Sequence, residues 1–212
     1  MAIANYGELK QAIRDYINYG DASVENNLEL FIRMAYDNIN SSLRIPSMEY
    51  RVYHTVTTER LDMPIPTNYL ELKRIYYPDT LETMDQVDIE TMPEMWDVNS
   101  EVSNDGRPTK FARDDGRWLL NKPMVIGTKI YFVYWRNIEY PIEDADTDVF
   151  IQQVDGVLLY RSLAEAFRFL EDFETSEYWM QKAVAEITIV QENADTAEVS
   201  GSVIVQSNNP WY

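Results

Sequence analysis

The sequence predicts an α+β fold, predominantly α: N- and C-terminal helical pairs form a four-helix core, an antiparallel β subdomain is inserted between them, and an extended C-terminal arm follows. Three observations predict it. Apolar residues recur at helical spacing before Pro46, they do so again from Val154 to Gln191, and between these stretches the period changes to two. A β region enclosed by two helical pairs places the helices against one another and the strands in a neighbouring subdomain. The expected boundaries are 1–47 and 149–193 for the helical domain, 48–148 for the inserted β-rich subdomain and 194–212 for the arm.

Residues 6 to 19 carry Leu9, Ile13, Tyr16 and Ile17 on one helical face, and Gly20-Asp21 stops that helix. A second helix follows with Ser23 as its N-cap. It sets Leu28, Ile32, Ala35, Ile39 and Leu43 at alternating four- and three-residue steps, and Pro46 ends it by Ile45. From Met48 the alternation puts Met48, Tyr50, Val52, His54 and Val56 on one strand face. Leu61, Met63 and Ile65 repeat it after a turn at Thr58-Glu59-Arg60, and Pro64 makes that strand short or an edge.

Tyr69 to Tyr77 is a third extended segment, terminated by Pro78-Asp79. Asp88 to Met95 reads as a short helix and Trp96 to Arg107 as a loop. Pro108–Arg113 and Arg117–Leu120 are strands joined by the turn Asp114-Asp115-Gly116, and the wholly apolar Ile130-Tyr-Phe-Val-Tyr-Trp135 marks a central strand. After the acidic bend Glu143 to Asp148 the chain returns to helix. Leu158, Leu159, Ser162, Leu163, Ala166 and Leu170 fall at helical spacing, Glu171 to Glu174 connect, and a final helix runs from Thr175 to Gln191.

Composition narrows the function. The 212 residues, 45% apolar and 13% aromatic, suffice for a folded domain with an embedded subdomain. With no cysteine, disulfides, thiolate nucleophiles and sulfur-based zinc sites are excluded. No apolar run approaches the roughly 20 residues that span a bilayer, and Met1-Ala-Ile-Ala-Asn is too short for a signal core, so cytosolic synthesis and a soluble product, with no membrane partner, are expected. Eighteen Lys and Arg against 36 Asp and Glu give a net charge of −18. That balance opposes gripping nucleic acid, though an acidic surface could face DNA if the task were to let it pass without sticking.

Catalysis has little foothold. His54, the single histidine, lies on a strand face with Val52 and Val56 and has no motif around it, so it reads as a half-buried structural residue. Asp144-x-Asp146-x-Asp148 opens like a calcium loop, but Val149 and Asp155 stand where an EF-hand needs Gly and Glu. It reads as a helix approach with Asp148 at a helix N-terminus, the alternative being a cation held between subunits. Carboxylate pairs such as Glu171/Asp172 are abundant because the chain is acidic, and a carboxylate-dependent cell-wall hydrolase is the enzymatic alternative. No phosphate loop, G-x-S-x-G or H-E-x-x-H occurs. No catalytic, cofactor-binding or metal-ligating residue is therefore assigned, and no cofactor.

The five Trp and fifteen Tyr point to interfaces. Tyr6, Tyr16, Tyr19 and Tyr178-Trp179 lie on helices and read mostly as core. Trp96 and Tyr140 in loops are the interface candidates. In the tail, Val203, Ile204, Val205, Trp211 and Tyr212 form a β-prone, aromatic arm suited to strand addition on a partner, the alternative being a frayed terminus.

Five stretches stand out together: Arg44-Ile-Pro-Ser-Met-Glu-Tyr-Arg-Val-Tyr-His-Thr-Val56, Leu61-Asp-Met-Pro-Ile-Pro-Thr-Asn-Tyr-Leu-Glu-Leu-Lys-Arg-Ile-Tyr76, Gly106-Arg-Pro-Thr-Lys-Phe111, Tyr134-Trp-Arg136 and the helix Leu158 to Leu170. With these the chain resembles the head-to-tail adaptor (connector) proteins of short-tailed bacteriophages. The order and spacing of the stretches carry the likeness, which covers nearly the whole chain except the tail. The resemblance implies a non-enzymatic virion protein: a ring, usually of twelve subunits, docked below the portal. Such a ring extends the channel through which genomic DNA passes without specific binding, and it meets tail or nozzle proteins below. It also implies that Val203 to Tyr212 reach the portal. Another tail or head-completion ring component is the alternative within the same structural class.

Overall fold

The computed structural model describes residues 3–17, 22–57, 60–92 and 107–202. The chain is mixed α+β and forms two compact units, Glu49–Arg136 and the flanking Met1–Met48 with Asn137–Tyr212.

The flanking unit is helical: α1 (Tyr6–Ile17), α2 (Ala22–Ser42), α3 (Val149–Gln153), α4 (Asp155–Phe169) and α5 (Phe173–Ser202). Tyr6, Leu9, Ala12, Ile13 and Ile17 bury one stripe of α1. Leu28, Ile32, Ala35, Ile39 and Leu43 are all buried along and just beyond α2. That helix begins at Ala22, so Ser23 lies in its first turn rather than at the cap. Helix α4 is buried over most of the stretch from Val157 to Phe167 and packs on α1, α2 and α5. It ends with Glu171 at φ 61°, and the Asp172 N–H returns to the Phe167 carbonyl at 3.0 Å, closing the last turn.

Helix α5 then starts two residues earlier than the pattern predicts, because the Asp172 carboxylate accepts the Thr175 N–H at 3.1 Å. It also continues past Gln191 to Ser202. Residues 194–202, expected in the arm, are helical, supported by Gln191 Nε2 donating to Asp195 at 2.7 Å and Thr196 Oγ1 to the Glu192 carbonyl at 2.7 Å. Among the described residues no helix is long and apolar enough to cross a membrane.

The central unit stacks two sheets. One has the order β1 (Glu49–Thr55), β7 (Lys129–Arg136), β3 (Tyr69–Tyr76), all antiparallel, with the apolar β7 in the centre. The other has the order β2 (Arg60–Pro64), β6 (Arg117–Met124), β5 (Lys110–Asp114), β4 (Asp85–Gln86). Proline-bearing β2 is an edge. The short β4 pairs parallel to β5, so the subdomain is not purely antiparallel as expected. A 3₁₀ turn at Ile89–Thr91, capped by Asp88, opens the segment expected as a short helix from Asp88 to Met95; residues 93–95, and 96–106 of the expected loop, lie outside the described residues.

Asp115 (φ 30°) and Gly116 (φ 79°) make the two-residue hairpin between β5 and β6, the double positive φ that Asp-Gly adopts readily. The core between the sheets holds Met63, Ile75, Phe111, Trp118, Leu120, Ile130, Phe132 and Tyr134, with Trp118 stacked on Phe132 at 5.2 Å.

Candidate interaction surface

Of the interface residues expected from sequence, Tyr140 is described; Trp96, Val203, Ile204, Val205, Trp211 and Tyr212 lie outside the described residues. Tyr140 stands on the segment between β7 and α3, and a buried amide fixes that segment's start. Asn40 of α2, 4% exposed, donates from Nδ2 to the Ile138 carbonyl and accepts the Ile138 N–H, each at 2.9 Å. The side chain thus acts as a strand partner for one residue.

Beyond Tyr140 the three spaced aspartates have separate tasks. Asp144 pairs with Lys10 Nζ at 2.5 Å, and its backbone carbonyl accepts the Gly7 N–H at 2.9 Å. A Cβ on Gly7 would lie 3.1 Å from Asp144 Cβ, so any larger residue there would push the bend back by a few tenths of an ångström. Asp146 accepts the N–H groups of Ile142 and Glu143 at 3.1 and 2.9 Å, and these bonds hold its pKa below the ordinary value. Asp148 caps α3 through Phe150 and Ile151 and accepts the buried Tyr36 hydroxyl at 2.5 Å. Burial, then Asp148, raises the Tyr36 pKa. Each of the three aspartates thus has partners within the chain, and among the described residues no group of three His, Cys, Asp or Glu side chains is placed to hold a metal ion.

Lys10 ties this bend to the helices. Its ammonium lies 4.5 Å above the Tyr6 ring and 3.8 Å from Glu29. The buried Tyr6 phenol is pushed up to about 12, first by desolvation and then by Glu29 and Asp144.

On the surface of this framework Tyr140 is 42% exposed, with the Arg33 guanidinium 5.2 Å over its ring, and Ile142 beside it is 80% exposed. Leu30 and Met34, one turn apart on α2, also face solvent. A second aromatic group escaped the sequence reading: Tyr16 and Tyr178, expected in the core with Tyr6, are each 52% exposed. Their rings pack edge-on against Trp179 at 5.3 and 5.1 Å, Tyr160 stacks on it at 5.5 Å, and Lys182 lies over Tyr178 at 5.2 Å. Tyr19 lies outside the described residues. Tyr16 and Tyr160 also line a groove of about 330 Å³ with Ile3, Ala12, Asp15 and Asp155. Helical spacing identified the face these rings occupy but not how far the neighbouring helices cover it.

In the central unit His54 is exposed rather than half-buried, because β1 is an edge strand. It borders an apolar hollow of about 200 Å³ formed by Val52, Met63, Ile65, Trp118 and Phe132, in which, among the described residues, no carboxylate stands to orient an imidazole base. The chemistry of these surfaces is contact: fixed aromatic rings, apolar side chains and paired charges.

A family model described as SU10 adaptor protein matches residues 4–206. The chain belongs to that family. The SU10 adaptors are phage head-to-tail adaptors, so the protein is a structural component of a phage virion. The match takes in Tyr140, Trp96 and Val203 to Val205, and stops before Trp211 and Tyr212. No curated protein matches this SU10-family chain.

Proposed function

We propose that this adaptor assembles as a ring of about twelve subunits beneath the portal, where it extends the DNA channel and forms the platform for tail attachment. The observation that carries the reading is the family match over residues 4–206, which makes portal and tail or nozzle proteins its expected neighbours. Each subunit's helical pairs form its body, and residues 203–212 reach the portal through Val203, Ile204, Val205, Trp211 and Tyr212. Trp96 and Tyr140 contact neighbouring chains. For Tyr140 the support is physical: its ring is half exposed yet held by Arg33 and by a backbone clamped to Asn40, so little entropy is lost when a partner covers it. The net charge of −18 suits a channel wall past which DNA slides.

Removing residues 203–212, beyond the last helical residue of α5, tests the portal assignment. The truncated protein is expected to keep its urea unfolding midpoint and to lose co-sedimentation with the portal of the same genome. Undiminished portal binding by the truncated chain overturns the assignment.

A further inference from the structure

The face of the β1–β7–β3 sheet turned away from its core is chemically unlike the rest of the chain. Val52, Phe132 and Ile75 point into the core, so strand alternation places Arg51, Tyr53, Lys129, Tyr131, Val133, Trp135, Arg74 and Tyr76 on the opposite face. The register aligns them in rows across the strands. Tyr53, Tyr131 and Tyr76 form one row, with ring centroids 6.1 and 5.4 Å apart. Arg51, Val133 and Arg74 form the next, and Arg74 lies 5.0 Å over Tyr76. A register shift between Leu72 and Arg74 lets Lys73 reach the same side, 5.0 Å over Trp135 and 2.9 Å from Glu49. Tyr53 is 64% exposed. Arg51, Arg74 and Lys129 are exposed and make no ion pair among the described residues.

Charge is divided along the chain in a matching way. Glu49–Arg136 carries eleven Lys or Arg against fifteen Asp or Glu, net −4, whereas the two flanking segments carry seven against twenty-one, net −14. One dense acidic feature of the helical unit is the corner between α4 and α5. There Glu171, Asp172, Glu174 and Glu177 are exposed around Phe169 and Phe173, themselves 46% and 66% exposed. None of these four carboxylates has an ion-pair partner among the described residues.

We propose that the outer sheet face docks a second copy of this chain through the acidic corner between that copy's α4 and α5. Arg51 and Arg74 meet the carboxylates, and Phe173 lies against Tyr53. Two different patches joined in this way make a heterologous contact, the kind that closes into a ring. The inference rests on the ring reading and names the surfaces that would build it. A polyanion is the competing occupant, but Tyr131 and Tyr76 are stacked on each other and Tyr76 is only 9% exposed, leaving Tyr53 as the one freely exposed ring for a base among the three. A chain of net charge −18 also repels phosphate.

The test uses two full-length variants, R51E/R74E and E174K/E177K, in sedimentation velocity with purified portal. Each alone is expected to lose subunit association by about 10-fold or more, because one patch now repels its counterpart. An equimolar mixture is expected to assemble, since the sheet face of each variant then matches the corner of the other. Unfolding cannot produce that rescue. Wild-type assembly by either variant alone, or failure of the mixture, overturns the inference while leaving the ring reading in place. Failure of the wild-type chain to assemble removes both. Binding of a labelled single-stranded oligonucleotide by the wild type but not by R51E/R74E, with assembly unchanged, gives the face to nucleic acid and also overturns it.

Discussion

Asn40 shows how much of the helical unit depends on single polar contacts. Its amide satisfies both backbone groups of Ile138 in a buried setting, and replacing it with Leu leaves a donor and an acceptor without partners. Asn40→Leu is expected to destabilise the protein by about 2–4 kcal/mol, read as a lower urea midpoint. A loss within about 0.5 kcal/mol, the usual range for surface substitutions, would mean that water replaces the amide. Tyr6 gives a pH prediction. Its folded-state pKa, about 12, lies above the ordinary 10.0, so the neutral phenol's contribution is complete below pH 10.0 and is lost as the pH rises toward 12. The unfolding midpoint is expected to fall over that window, and less steeply in Tyr6→Phe; identical slopes in the two proteins would contradict it. Neither role was legible in sequence. Asn40 stands among the helical residues of α2, and its partner Ile138 lies ninety-eight positions away. Tyr16 and Tyr6 share a helix and a residue type, yet only the second is covered.

Elements were legible where the apolar period was long. Helices α1 and α2 and strands β3 and β7 stand close to where spacing put them, and the central position of β7 followed from its lack of alternation. Two-residue β4 and five-residue α3 carry no period that could reveal them. Helix α5 outran its expected end because Ala194, Asp195 and Thr196 were grouped with the Gly, Asn and Pro that follow later, although their i,i+4 bonds suit a helix. The Asp115-Gly116 turn was the clearest local signal and gives a local prediction. Gly116 sits at φ 79°, and no atom lies within 4 Å of the position its Cβ would take, so Gly116→Ala introduces backbone strain and no steric clash. It is expected to cost about 1–2 kcal/mol, measured by thermal or urea unfolding; an unchanged midpoint would mean the turn changes type without penalty.

At the scale of the whole molecule, the division of charge is the feature that links composition to assembly. A net charge of −18 reads in sequence only as an argument against gripping DNA. The fold distributes it as −14 on the helical segments and −4 on the β segment, with cations collected on one sheet face. That collection was hidden in the sequence because Arg51, Arg74 and Lys129 are brought together by strand register, not by proximity along the chain. Family membership supplies the virion role, and the surfaces supply the physical means of holding neighbours.

The measurement that tests the central claim most directly is sedimentation velocity of the full-length protein, alone and mixed with the portal encoded in the same genome. A single large complex of fixed stoichiometry, in which the adaptor and portal co-sediment, is the result predicted. Two independent boundaries at every mixing ratio, with the adaptor never joining the portal, would contradict the head-to-tail ring and move the protein to another position in the tail.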